Sequence, residues 1–219
     1  FMDTGRIQRA FRQLSPDGRR FAVITRPEHS GGQGAGIGVL PEDGGEVEEI
    51  VGREQLHALT PNREEFSAED MRLGNTKWHP DGEHLLVAMW VYPVPDARRS
   101  LYIVRPYERE ARWLCHFGGH HSWTPDGKRV LFVDHPEGRH GRGQGRFLHT
   151  VNFDGSDRRC IFDQPAGSHP LMHPDNNRIT DFDDDGVYVV HLDAGRVDRL
   201  VEYAAQFDMT HHGTHPHPV

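Results

Sequence analysis

Histidines are concentrated at the end of the chain, where residues 211–219 read HHGTHPHPV. A neutral imidazole is the commonest metal ligand among protein side chains. Residues two apart in an extended strand lie on one face, about 7 Å apart at Cα, so His215 and His217 are able to bind one ion together. His212 is a further candidate ligand. Glycine, threonine and proline interrupt the histidines, which distinguishes the segment from a purification tag.

An internal repeat provides the elements that position these histidines. Four segments each combine an apolar residue, Pro-Asp-Gly or Pro-Asp-Asn, and a run rich in β-formers: LSPDGRRFAVIT (14–25), WHPDGEHLLVAMW (78–90), WTPDGKRVLFVDH (123–135) and MHPDNNRITDFD (172–183). Proline presets φ, and glycine or asparagine accepts positive φ, which is hairpin chemistry. Each segment therefore predicts a strand, a tight turn and a strand.

A second strand pair follows each of these hairpins in the sequence. The pairs are IGVLPEDGGEVEEIVG, SLYIVRPYEREARWLCHF, FLHTVNFDGSDRRCIF and GVYVVHLDAGRVDRLVEY. Four strands per unit, with turn prolines separated by 64, 45 and 49 residues, are typical of propeller blades. The sequence therefore predicts an all-β protein, a β-propeller built of four-stranded antiparallel blades.

The repeat also sets the expected boundaries of a single propeller domain over residues 1–219. The blades are predicted at 8–52, 73–117, 118–164 and 165–208, with an insertion at 53–72 and the start of a fifth blade at 209–219. A short helix is expected at SAEDM within the insertion. Because four visible blades are few for this repeat, we expect an incomplete or truncated propeller. Its open edge strands predict self-association.

Several histidines occupy the same position in successive copies of the repeat. The residue three before the apolar residue of each turn is Phe11, Asn75, His120, His169 and His217. The strand leading into the turn is the innermost strand of a blade, so these equivalent positions are expected to converge at one rim of the central channel. His120 and its neighbour His121 are additional candidate ligands. The remaining histidines, including His79, His84 and His173, are expected on turns, loops and outer strands without a function.

The segments resemble the PD40 repeat of TolB-like propellers over almost the whole chain. GSHPLMHPDN (167–176), followed one blade later by H-x-x-H-P-H-P (212–218), resembles the oligogalacturonate lyases among them. That resemblance implies a manganese ion held by His169, His215 and His217. The family's glutamine falls on His212, and four imidazoles suit zinc, nickel or copper better than manganese.

The resemblance implies β-elimination on an acidic, uronate-containing oligosaccharide. Removal of the C5 proton places negative charge on the neighbouring carboxylate, which a bound cation stabilises. The family assigns the base to an arginine, and no local motif selects one here. Arg98, Arg99, Arg142 and Arg146 are candidates because they lie in or beside Gly-, Pro- or Arg-rich blade connections. The basic loop GRHGRGQGR (138–146) is equally compatible with a solvated connection.

Two other interpretations stay open. The propeller is alternatively a TolB-like scaffold that binds protein partners, with incidental histidines, or it holds a structural metal without chemistry. A metal whose coordination positions are all filled by protein ligands indicates a structural role. An open coordination position beside basic residues indicates a catalytic role.

Composition narrows the expected partners. A formal charge of -8 opposes binding to nucleic acid. No apolar run is long enough to span a membrane and no signal peptide is recognisable, so no membrane partner is expected. Cys115 and Cys160 lie in apolar runs and are expected to be buried, reduced thiols, which indicates a cytoplasmic location. The acidic run DFDDDG (181–186) is expected to be a solvated hairpin turn.

Overall fold

The computed structural model describes residues 13–25, 36–91, 99–134, 147–164, 169–183 and 186–202. Four sheets are present, each with four strands that pair antiparallel in sequence order. The all-β class and the four-stranded antiparallel sheets predicted from the repeat are thus confirmed. Two compact units divide the chain, a first unit at Phe1–Phe117 and a second unit at Gly118–Val219.

The first unit contains two of the sheets. Sheet 1 consists of β1 (Gln13–Leu14), β2 (Arg20–Thr25), β3 (Gly36–Pro41) and β4 (Glu48–Gly52). Sheet 2 consists of β5 (Met71–Trp78), β6 (Leu85–Val91), β7 (Arg99–Arg105) and β8 (Glu110–His116). Their core is formed by alternating strand residues that include Ile24, Ile37, Leu85, Val87 and Met89, all fully buried.

The second unit contains the other two sheets. Sheet 3 consists of β9 (His121–Trp123), β10 (Arg129–Asp134), β11 (Phe147–Asn152) and β12 (Arg159–Phe162). Sheet 4 consists of β13 (Leu171–Met172), β14 (Arg178–Asp183), β15 (Gly186–His191) and β16 (Arg196–Glu202). A separate core packs between them and includes Leu131, Val133, Leu148, Ile179 and Val190.

The Pro-Asp turns form as their residue types predict. The residue after the aspartate has a positive φ in every copy: Gly18 at 73°, Gly82 at 74°, Gly127 at 68° and Asn176 at 55°. In each turn the aspartate Oδ1 accepts the amide N–H two residues later. This side-chain bond stabilises the turn locally, without help from tertiary contacts.

First strands of neighbouring sheets lie against each other within each unit. In the first unit, β1 contacts β5, and the Trp78 indole Nε1 donates to the carbonyl oxygen of Gln13 over 3.1 Å. In the second unit, β9 contacts β13, and the Ser122 hydroxyl donates to the carbonyl oxygen of Pro170 over 3.5 Å. The first strands therefore occupy the position expected of inner blade strands.

The insertion between sheets 1 and 2 is helical. Helix α1 (Arg53–Leu59) buries Leu56, and the Thr60 hydroxyl that follows it donates to the Leu56 carbonyl oxygen and contacts the Tyr102 hydroxyl. Burial raises the pKa of Tyr102 to about 12. The helix expected at SAEDM is a single 3-10 turn at Ala68–Asp70. Helix α1 was not predicted, because its seven residues are too few to show a clear helical period.

Two expectations about burial are wrong. Cys115 is a buried free thiol, but Cys160 is an exposed one. Both lie on the outermost strand of a sheet, and helix α1 packs against the strand that carries Cys115. The acidic run is not a solvated turn throughout, because Asp181 lies inside β14 and is 0% exposed. Among the described residues, no helix has the length and apolar character needed to cross a membrane.

Candidate functional site

His169 stands at the start of sheet 4, where Asp181 fixes its backbone. β13 pairs with β14 through Leu171 opposite Thr180, and continuation of this register places Pro170 opposite Asp181. Proline has no N–H to donate, so backbone pairing is interrupted there. The Asp181 Oδ1 instead accepts the backbone N–H of His169 over 2.9 Å. A buried carboxylate thus replaces the missing ladder bond and holds His169 in place.

The imidazole of His169 contacts two other rings. Its plane is parallel to the Phe182 ring, with 4.6 Å between centroids and an interplanar angle of 2°. The His120 ring lies 3.8 Å from it between centroids, tilted by 38°. His120 and His169 come from equivalent positions of adjacent blades. The structure therefore brings these two repeat-related imidazoles together.

His121 is less suited to join this pair. Successive residues of an extended strand point to opposite faces, so His121 belongs to the face opposite His120. His121 is buried, at 6% exposure, whereas His120 and His169 are half-buried. His121 lies in β9, where its Cα pairs with that of Phe132 in β10. Of the two additional candidate ligands, His120 is the one beside His169.

The first unit departs from this pattern at the equivalent position. Asn75 has a left-handed backbone, with φ at 49°, and lies at a register shift between Gly74 and Thr76 in β5. No imidazole stands there. Phe11, the equivalent residue of the first blade, lies outside the described residues.

Several of the predicted site residues also lie outside the described residues. These are the histidines His212, His215 and His217 and the arginines Arg98, Arg142 and Arg146. Arg99 is described, and it is the first residue of β7 in the first unit, opposite Trp90 of β6. Its role as a base stays a prediction.

The donor chemistry of the described pair fits a transition metal. Imidazole nitrogen is a ligand for zinc, copper, nickel and iron, whereas manganese and magnesium favour oxygen donors. The nearby carboxylate of Asp181 is engaged through Oδ1 with the backbone N–H groups of His169 and Phe182, the latter over 2.8 Å. Asp181 therefore positions His169 through the backbone N–H group of that histidine. It was missed in the sequence because an acidic run by itself predicts a solvated turn.

Several solved structures have a fold similar to that of this chain. A candidate TolB protein from Agrobacterium tumefaciens superposes with a TM-score of 0.58 and 22% identity over 88% of this chain. An oligogalacturonate lyase in complex with manganese superposes with a TM-score of 0.54 and 17% identity over 75% of this chain. An oligogalacturonate lyase from Vibrio parahaemolyticus superposes with a TM-score of 0.52 and 14% identity over 93% of this chain. The propeller-like fold and its resemblance to TolB-like propellers are thereby confirmed.

The chain is shorter than these relatives. It spans 64% of the Agrobacterium protein, 42% of the manganese-bound lyase and 68% of the Vibrio lyase. No protein-family model and no curated protein matches the sequence. At these identities the similarity concerns the fold, and activity has to be argued from the site.

Proposed function

We propose that this chain belongs to a metal-dependent lyase that cleaves uronate-containing oligosaccharides by β-elimination. The observation that carries the proposal is the stacking of His120 on His169 at 3.8 Å, at the starts of adjacent blades. Equivalent positions of adjacent blades lie side by side, and in these two blades both positions carry an imidazole. Two of the solved structures that share the fold are oligogalacturonate lyases.

The proposed ligands are His169, His215 and His217, with His212 and His120 as further donors. An imidazole set of this kind fits zinc, nickel or copper, and manganese is the ion named for one lyase of the same fold. When bound, the ion supplies positive charge that stabilises the substrate carboxylate as negative charge develops on it. In the chain itself, Asp181 and Phe182 hold the His169 backbone and ring in one orientation, so little reorganisation is needed on binding.

A basic side chain has to complete the reaction. It takes the proton from C5 of the uronate, the C4–O bond to the leaving sugar breaks as a C4–C5 double bond forms, and the leaving sugar oxygen takes up a proton from water. The arginines at positions 98, 99, 142 and 146 are the proposed candidates for this base and for contacts to the acidic substrate. An arginine also binds carboxylates through paired N–H groups, which suits a uronate.

The test is elemental analysis of tag-free protein. Wild type is expected to carry about one equivalent more of a transition metal than the His215→Ala/His217→Ala variant and than His169→Ala. His173→Ala is the matched control, because His173 lies in the same blade and its side chain is 46% exposed beside Asp175. It should leave the metal content unchanged. Assays on uronate oligosaccharides then follow the unsaturated product by its ultraviolet absorbance.

Equal metal content in wild type and the double variant, after incubation with manganese or zinc salts, would remove the basis of the lyase mechanism. The better function would then be a protein-binding scaffold without chemistry. That alternative has support of its own, since the candidate TolB protein superposes with higher identity and TM-score than either lyase. A third outcome, bound metal without any lyase activity, would assign the ion a structural role.

A further inference from the structure

A second group of metal-ligating side chains lies in the turn between β5 and β6, in the first unit. It consists of His79, Asp81 and His84, and one ligand atom from each lies within 4.8 Å of the other two. The Nδ1 atoms of both histidines are 2.8 Å from the same oxygen, Oδ2 of Asp81. Both histidines lie in the turn, as expected, and their side chains are 13% and 17% exposed.

The turn holds this group in place before any ligand binds. The backbone N–H of His79 donates to the carbonyl oxygen of His84 over 2.8 Å, so the two residues face each other across the hairpin. The Asp81 Oδ1 accepts the N–H groups of Glu83 and His84, over 2.7 and 3.2 Å. Only the second carboxylate oxygen is then directed toward the two imidazoles. Little conformational freedom remains to be lost on binding.

The short distances require a hydrogen atom or a bound cation between each nitrogen and the oxygen. A carboxylate oxygen and an imidazole nitrogen both carry lone pairs, so a separation of 2.8 Å implies a proton or a cation shared between them. For His79, the backbone N–H of Asp81 also points at Nδ1, over 3.1 Å. That contact favours a nitrogen with a lone pair, which is the form that binds a metal.

The other turns of the repeat show what is special about this one. At the position of His84, the equivalent residues are Arg20, Arg129 and Arg178. In sheet 4, the Arg178 Nε donates to the Asp175 Oδ2 over 2.6 Å, so a guanidinium occupies the place that the His84 imidazole takes here. A guanidinium has no lone pair to offer a metal. Among the four described turns, this one alone joins two imidazoles and a carboxylate.

We propose that His79, Asp81 and His84 form a binding site for a divalent transition-metal cation, with zinc, nickel and copper as the fitting class. Two imidazole nitrogens and one carboxylate oxygen are the donors these ions accept. Zinc bonds of about 2.0–2.2 Å separate tetrahedral ligand atoms by roughly 3.4 Å, so shifts of under about 1 Å create the site. Three protein ligands leave at least one position for water. The site shares no residue with the proposed blade-start ligands, which belong to the second unit.

The experiment is calorimetric titration of the metal-stripped full chain with zinc chloride. His84→Arg and His79→Ser are the test variants, because the equivalent turns carry arginine and, in sheet 1, Ser15 at these positions. We expect wild type to bind one equivalent of zinc at this site, and we expect the affinity for that zinc to fall at least about tenfold in both variants. Zinc should also raise the melting temperature of wild type more than that of either variant, and magnesium should do neither.

Two controls keep the outcome independent of the proposed function. His173→Ser removes the histidine of the sheet 4 turn, which contacts Asp175 at 3.3 Å without a second imidazole, and should leave the titration unchanged. His169→Ala should retain the His84-dependent equivalent even if the blade-start site is lost or never binds metal. Circular dichroism verifies that the variants fold. Zinc binding to folded His84→Arg and His79→Ser with wild-type affinity would overturn the proposal.

Discussion

The imidazoles of this chain differ because their surroundings differ. His149 of β11 is half-buried and stacks on Phe132, with 5.8 Å between centroids and an angle of 23°. Burial lowers the pKa of His149, the Asp134 carboxylate opposes that shift, and the Arg158 guanidinium adds to it. The folded protein therefore favours neutral His149, whereas an unfolded chain titrates near the ordinary value of 6.5.

This difference predicts a dependence of stability on pH. Below 6.5 the unfolded state binds more protons at His149 than the folded state does, so the free energy of unfolding falls as the pH falls. Replacing His149 by asparagine should reduce the loss of melting temperature between about pH 7.5 and about pH 5.5 relative to wild type. His173→Asn is the matched control, because its side chain is 46% exposed. An identical loss in His149→Asn and wild type would contradict the assignment.

At the scale of single elements, the first strand of sheet 4 depends on a side chain. β13 contains only two residues, and Pro170 before it offers no N–H. The Asp181 carboxylate, 0% exposed, attaches the chain at His169 instead. The neighbouring strand thus adds a side-chain acceptor to the short pairing between β13 and β14.

Removal of this acceptor should loosen the start of the blade. Asp181→Ala leaves the buried N–H groups of His169 and Phe182 without the carboxylate oxygen that they share, and should lower the free energy of unfolding by about 1–3 kcal/mol. Asp181→Asn keeps an acceptor oxygen and should lose less. Urea denaturation measures both values. Equal destabilisation by the two substitutions would show that the negative charge, not the hydrogen bonds, is what matters.

At the scale of the molecule, unpaired sheet edges are the surfaces most prone to association. β16 is the outer strand of sheet 4, and a register shift in its pairing with β15 leaves Leu200 out of the ladder. Leu200 and the adjacent Val201 are 62% and 47% exposed. A bulge interrupts backbone pairing with another chain, but exposed apolar residues on an edge favour association.

We therefore expect concentration-dependent self-association that Leu200→Lys weakens. A lysine on an edge strand opposes pairing because its charge would be buried in the contact. Leu59→Lys adds the same charge at the end of α1, in the first unit, and should leave association through β16 unchanged. Sedimentation velocity over a range of concentrations distinguishes the two. Equal shifts in both variants would point to net charge as the cause.

The sequence by itself determined the turns, the four-stranded repeat and the equivalence of His120 with His169. Each follows from chemistry between residues close in the chain: proline and aspartate preset a turn, and the following glycine or asparagine accepts its positive φ. Tertiary structure alone decided that Asp181 is buried beside His169 and that Cys160 is exposed. The reason is that a side chain's partners across a sheet depend on strand register and on which neighbouring strand covers it. Neither is encoded in the local pattern of residue types.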